Sequence, residues 1–174
     1  LEGRLLHSLT AYEQINDDRI IPDRFVIDWN TTTSSDCDEL EFTRADNGRG
    51  SSLGYRTNKP IQDIDTDLGK LKKRTISIDR EGTERYLSLA QEVFDGLLPV
   101  EVGRVSSHYS HGITGRAVHL MGMQELYLEM ATNPDAVHRL FTFLAEDSLT
   151  LGQWEEDEEL LTRNHDGNQG YCSG

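Results

Sequence analysis

Three short stretches of this 174-residue chain hold residue types that can move protons or grip a polar substrate. The first is Asp28-Trp29-Asn30. A carboxylate partly desolvated by an indole has a raised pKa, which suits a general base, while Trp29 and Asn30 suit substrate contact. The plainer role for Asp28 is to cap a loop. The second stretch is His108-Tyr109-Ser110-His111, two imidazoles three positions apart around a phenol. Imidazole is the side chain that changes charge near neutral pH, so His108 and His111 are candidates for proton transfer and Tyr109 for substrate contact. The third holds Asn164, His165, Asn168 and Tyr171, polar groups suited to holding a substrate.

Other chemistry finds little support. Cys37 and Cys172 are far apart and form neither a CxxC pair nor a zinc-ligand spacing, so no metal site is expected and both read as reduced thiols. Gly48-Arg49-Gly50 is too short to cradle a phosphate. His119 and His138 lie in apolar stretches and read as core or surface residues of helices.

Strands and helices must position these groups. Residues 1–14 carry apolar positions at helical spacing, and residues 19–29 alternate Phe25, Ile27 and Trp29 with Arg24, Val26 and Asp28 in a strand pattern whose far end is Asp28-Trp29-Asn30. Residues 31–59 are polar and Gly-rich, a long excursion with room for one hairpin. Residues 60–73 have helical spacing, and Asp79 stands where an N-cap belongs for a helix over residues 80–94. Residues 97–102 read as a strand leading into the His108 loop. Residues 113–121 read as a short helix or strand, and residues 122–130 as a helix with Leu126, Tyr127, Leu128 and Met130 on its apolar positions. Asn133-Pro134 then opens the clearest helix, to about residue 156, with Val137, Leu140, Phe141, Leu144 and Leu149 as its buried stripe. The acidic run at residues 155–159 should coat its exposed end. Residues 160–164 read as a strand before the loop of Asn164 to Tyr171. Strands alternating with helices predict β-α-β units and a parallel sheet, in which ligands sit at the C-terminal strand ends. All three candidate stretches fall at such ends.

Composition narrows the partners. A formal net charge of -14, from 31 acidic and 17 basic residues, repels phosphate backbones and argues against nucleic acid. No apolar run approaches the roughly 20 residues of a membrane span, and no signal peptide is evident, so a cytoplasmic protein with no membrane partner is expected. The length allows one domain across residues 1–174 but falls short of the roughly 250 residues of a closed eight-stranded α/β barrel.

Five segments, residues 12–29 (YEQINDDRIIPDRFVIDW), 60–72 (PIQDIDTDLGKLK), 77–100 (SIDREGTERYLSLAQEVFDGLLPV), 120–147 (LMGMQELYLEMATNPDAVHRLFTFLAED) and 159–174 (ELLTRNHDGNQGYCSG), together resemble an uncharacterised bacterial branch of the uroporphyrinogen decarboxylase-like superfamily. The resemblance implies a partial (β/α)8 TIM-type barrel, about half of one, with parallel strands, outer helices and the polar excursion at 31–59. The rest of the barrel would lie beyond this chain. It also implies an enzyme acting on a small or medium organic substrate by proton or one-carbon transfer, in the manner of a decarboxylase. Two departures stand out. The decarboxylase's Arg-rich N-terminal signature has no counterpart near Arg19 to Arg24, and its FAGAPFT-like strand is replaced by VHLMGMQELY at residues 118–127. The branch's Asn-rich NN-x-x-DY run is matched in part, with His165 in place of one Asn and Gln169-Gly170 departing from the acidic position. Two alternatives stay open. One is a corrinoid- or thiol-linked methyltransferase whose zinc site lies in the missing half, so that zinc or corrinoid belongs to the full-length protein and no cofactor to this chain. The other is a non-catalytic half-barrel that needs a second copy or the remaining half of the barrel as its partner.

Overall fold

The computed structural model describes residues 2–15, 23–46, 52–103 and 112–162. The architecture is mixed α/β with a parallel sheet and helices. The elements run α1 (Glu2–Thr10, extended by a π turn at Ala11–Ile15), β1 (Phe25–Ile27), β2 (Thr31–Thr33), β3 (Phe42–Asp46), β4 (Ser52–Thr57), α2 (Ile64–Asp67, continued by a 3-10 turn at Leu68–Lys70), β5 (Ile76–Ile78), α3 (Arg80–Val93), β6 (Val100–Val102), α4 (Ile113–Met121), α5 (Met123–Thr132) and α6 (Pro134–Asp157). Chain contacts group them into two compact units, one drawn from Leu1–Thr31, Ile78–Ser106 and Glu155–Gly174, the other from Thr32–Ser77 and Ser107–Trp154.

The first unit is organised by a parallel pair. β1 aligns with β6 in the register Phe25 with Val100, Val26 with Glu101 and Ile27 with Val102. Alternation along β1 sends Phe25 and Ile27 to one face, where they are buried with Ala90 of α3 and with Phe94, which caps that helix. The Phe25 and Phe94 rings lie 4.8 Å apart. α3 lies between the two strands in sequence, so β1, α3 and β6 make the expected β-α-β order, with the chain from Thr32 to Ser77 inserted before the helix. Arg24, just before β1, pairs with Asp23 at 2.9 Å and with Glu101 of β6 at 3.3 Å. The Asp23 carboxylate first, then Glu101, holds its pKa above the ordinary guanidinium value.

The C-terminal segment of this unit departs from expectation. Residues 160–162 are not a strand. Glu159 takes a left-handed φ of 57°, its N–H donates to the Glu156 carbonyl at 3.0 Å, and the Leu160 N–H donates to the Glu155 carbonyl at 3.0 Å. These two bonds are a Schellman stop, and Leu160, which follows the left-handed residue, is buried. The stop is built on Glu where Gly is usual, which is why no sequence signal marks it. The same turn buries Glu155, which therefore does not belong to the exposed acidic coat.

The second unit has the larger core. Cys37, Ile61, Ile64, Ala117, Leu120, Met121, Leu126, Ala136, Val137, Leu140 and Leu144 are buried together. On α6, Val137, Leu140 and Leu144 hold the expected stripe, whereas Leu149 is 74% exposed and Leu151 is buried in its place. On α5 only Leu126 is buried, and Tyr127, Leu128 and Met130 face outward. The excursion at 31–59 contains the expected hairpin, β3 antiparallel to β4, but it also sends Asp36 and Cys37 into the interior. The helix expected over residues 60–73 is reduced to Ile64–Lys70. Asp63 caps it late, accepting the Asp65 N–H at 3.0 Å, and the Lys72 N–H is drawn to the Asp36 carbonyl at 2.9 Å, which leaves the chain extended after Leu71.

Buried charge crosses this core. The Arg116 guanidinium of α4 donates from Nε to Asp36 at 2.9 Å, from Nη2 to Asp147 at 2.7 Å, and from Nη1 to the Leu144 carbonyl at 3.2 Å and the Ser148 hydroxyl at 3.0 Å. Asp147 of α6 also accepts the Arg74 backbone N–H and Nε, each at 2.7 Å. The ionised side chains Asp36, Arg116 and Asp147 are thus each matched by opposite charge, the condition under which a buried ion is tolerated.

Candidate functional site

The strand end of β1 places Asp28, Trp29 and Asn30. Because β1 and β6 are parallel and in register, they terminate side by side at Ile27 and Val102, and the Gly103 N–H still reaches the Ile27 carbonyl at 3.0 Å. A Cβ on Gly103 would stand 3.0 Å from Thr162 Cγ2 and 3.3 Å from Val26, so glycine permits this close approach. Asp28 is exposed, so the enclosure beside an indole expected for a desolvated base is not what surrounds it. Trp29 is half-buried, with the Arg80 guanidinium 5.4 Å from its ring, and Arg80 is held in turn by Glu158 at 2.7 Å.

Asn30 is tied to the start of α3. Its Nδ2 donates to Asp79 at 2.9 Å, its N–H to the Thr83 hydroxyl at 3.0 Å, and its carbonyl accepts the Asp79 N–H at 2.8 Å. Asp79 is the expected N-cap, accepting the Gly82 N–H at 2.7 Å. Gly82 was not singled out by sequence, yet a Cβ there would collide with the Asp79 carboxylate. The helix cap and the strand-end loop are therefore one hydrogen-bonded assembly. His108, Tyr109 and His111, and Asn164, His165, Asn168, Tyr171 and Cys172, lie outside the described residues. Of the three candidate stretches, the first lies among the described residues.

A second polar region belongs to the other unit and was not foreseen. A depression of about 400 Å³ is lined by Thr43, Arg56, Thr57, Asn58, Lys59 and Gln62. Thr43 and Arg56 are cross-strand partners on one face of the β3–β4 hairpin. Asn58 fixes the base of the hairpin, accepting the Glu41 N–H at 3.0 Å and donating to the Glu39 carbonyl at 2.6 Å. Lys59 has a left-handed φ of 52° and donates to both oxygens of Glu125, at 3.0 and 3.1 Å. Glu125 lies in the first turn of α5, and its own backbone N–H first, then Lys59, keeps its carboxyl below the usual range. Gly122, at φ 90°, leaves room for this pair, since a Cβ there would come within 2.8 Å of the Lys59 ammonium.

On the hairpin's other face the Tyr55 hydroxyl and His119 Nε2 lie 2.6 Å apart, and the Phe42, Tyr55 and His119 rings meet edge to face at 5.3 to 5.5 Å. His119 is on a helix, as expected, but its partner lies 64 residues away and no spacing rule points to it. Such a phenol–imidazole couple is competent to pass a proton.

Among the described residues no three His, Cys, Asp or Glu side chains converge as metal ligands, so they offer no donor set for the zinc that the methyltransferase alternative would use. No described helix is long and apolar enough to cross a membrane. Compared with known proteins, the chain matches no family model, no curated protein and no solved structure.

Proposed function

We propose that this chain is about half of a uroporphyrinogen-decarboxylase-like (β/α)8 barrel, part of a cytoplasmic enzyme that acts on a small or medium organic substrate by proton or one-carbon transfer. The observation that supports the reading is the parallel β1–β6 pair, joined through α3 and ending on the side where Asp28 stands. In α/β folds that edge is where substrates bind. Asp28 is the proposed base, exposed and so accessible to substrate; Trp29 offers a ring face; Asn30, held by Asp79, offers its side-chain carbonyl.

The test is release of CO2 or transfer of a methyl group from a panel of organic acids, run on the full-length protein. Asp28→Asn should lower turnover by about 10²-fold or more with no change in thermal unfolding, the size expected when a general base is removed. Turnover equal to the parent's would remove Asp28 from the mechanism. No turnover and no ligand-induced stabilisation across the panel would sink the enzymatic reading.

One observation favours the alternative of a half-barrel that needs a partner. Tyr86, Leu89 and Val93 make an apolar stripe along α3 beside its buried face, and all three are 40 to 50% exposed. β1 and β6 also pair only with each other among the described residues. Sedimentation decides it. A mass above one chain that falls to the monomer in Leu89→Glu supports pairing through α3, whereas a monomeric parent overturns it.

A further inference from the structure

The depression on the second unit has a composition at odds with the chain around it. Acidic residues number 31 of 174, yet its six lining residues include no carboxylate: they are two cations, two carboxamides and two hydroxyls. Its volume of about 400 Å³ falls within the range of small-molecule sites. Every side chain on its wall is neutral or cationic and hydrogen-bond competent, and of the two cations Lys59 is paired with Glu125 while Arg56 is not.

Two features show that the cation arrangement is built. Arg24, Arg74, Arg80, Arg85, Arg116 and Arg139 each meet a carboxylate and Arg4 stands over the Phe25 ring, whereas Arg56 is exposed and meets neither a carboxylate nor a ring among the described residues. Lys59 is held in place by backbone that is unusual at two points, its own left-handed φ of 52° and Gly122 at φ 90°. A non-glycine residue in that region stores strain, and strain of this kind collects at ligand sites. Glu125 takes two of the ammonium's three N–H groups and leaves one to donate.

We infer that this depression binds a small organic anion through a carboxylate or phosphate group, with the Arg56 guanidinium as its fork and the free N–H of Lys59 as a second donor. Arg56 suits both groups because a planar fork can meet two oxygens at once. Thr43, directly across the hairpin from Arg56, supplies a hydroxyl on the same face.

The experiment is a titration of the full chain with malonate and, separately, with inorganic phosphate, followed by amide chemical shifts at low and at physiological ionic strength. Saturable binding of one anion per chain is expected, weaker at the higher ionic strength. Arg56→Gln, an exposed site whose change should leave folding intact, should weaken it by about tenfold or more, the effect of removing one charge-assisted contact. Gly122→Ala should also weaken it by displacing Lys59. Malonate binding ahead of phosphate assigns a carboxylate ligand, and the reverse order a phosphate. The inference is overturned if the folded parent saturates with neither anion, or if Arg56→Gln binds as the parent does.

Discussion

The interiors of the two units are assembled differently. In the first, four side chains, Phe25, Ile27, Ala90 and Phe94, are buried between a strand pair and one face of a helix, and the neighbouring stripe of that helix is left to solvent. In the second, eleven buried residues from a loop, α2 and three further helices are joined by three buried charges, Asp36, Arg116 and Asp147, with Arg74 at their edge. Apolar contact alone is tolerant of register, because any residue of similar volume fits. Buried ions are not, since each must meet its partner or remain unsolvated. The second unit is accordingly pinned at one arrangement of residues 36, 74, 116 and 147, while the first, which buries the single carboxylate Glu155 at the end of α6, rests mainly on area and on one capped helix.

Asp147→Asn tests the sharper side of this contrast and should have the largest effect. The amide keeps the volume and one acceptor, but it leaves Arg116 and Arg74 facing each other across a neutral group. Breaking a buried pair by removing one partner costs about 3–5 kcal/mol, which a urea unfolding curve would show as a lower midpoint at unchanged slope. A loss below about 1 kcal/mol would mean that the network is relaxed by water and that the two interiors differ only in size.

The same contrast explains what the sequence could reveal. Period-two alternation in residues 25–27 and 3.6 spacing in residues 80–94 and 134–157 are local signals, and they placed β1, α3 and α6 with the Asp79 cap. They failed where the deciding contact was distant. Nothing near Asp36 announces that Arg116, 80 residues on, will draw it and Cys37 inside, so residues 31–59 read only as polar chain. Nor does the apolar character of Leu149 or Tyr127 reveal that no neighbour covers it. Of the candidate site, the strand end at Asp28 was legible from alternation and the parallel rule, whereas the Tyr55–His119 couple and the Arg56 depression depend on how a hairpin meets α4 and α5.

The capped helix of the first unit offers a smaller effect of a different kind. Asp79→Ala removes the acceptor of the Gly82 N–H and the anchor of Asn30, and loss of such a cap costs about 1 kcal/mol. Asp79→Ser should restore most of the stability, because a hydroxyl also caps, yet leave Asn30 unanchored. Urea midpoints for the pair would separate capping from the tether to the strand-end loop. Equal losses in the two variants would place the whole effect in the tether. At the other end of the same unit Glu159→Gly should stabilise by up to about 1 kcal/mol, since glycine takes the left-handed conformation without the Cβ penalty. No gain there would mean that the Glu159 side chain makes a compensating contact.

The smallest expected effect returns to the second unit, at its surface, and is read in pH. Asp67 accepts the backbone N–H groups of Asp63 and Gln62 and pairs with Lys70, which it holds above the ordinary ammonium value. Those contacts, the Asp63 N–H first, lower the Asp67 carboxyl to about 2. A carboxyl lowered in the folded state contributes stability that is fully present above the unfolded pKa of ~3.9 and is lost as pH falls through that value toward 2. Asp67→Asn abolishes the titration while keeping an acceptor, so it should melt below the parent at neutral pH, by a margin that narrows below about pH 4 and closes only as pH falls through about 2. The group is on the surface, so the margin should also shrink with added salt in its Lys70 part and persist in its backbone part. A margin that stayed constant from neutral pH to pH 2 would show that the loss comes from the Asn side chain's fit and not from the charge, and surface ionisation would then drop out of the account of what holds α2 in place.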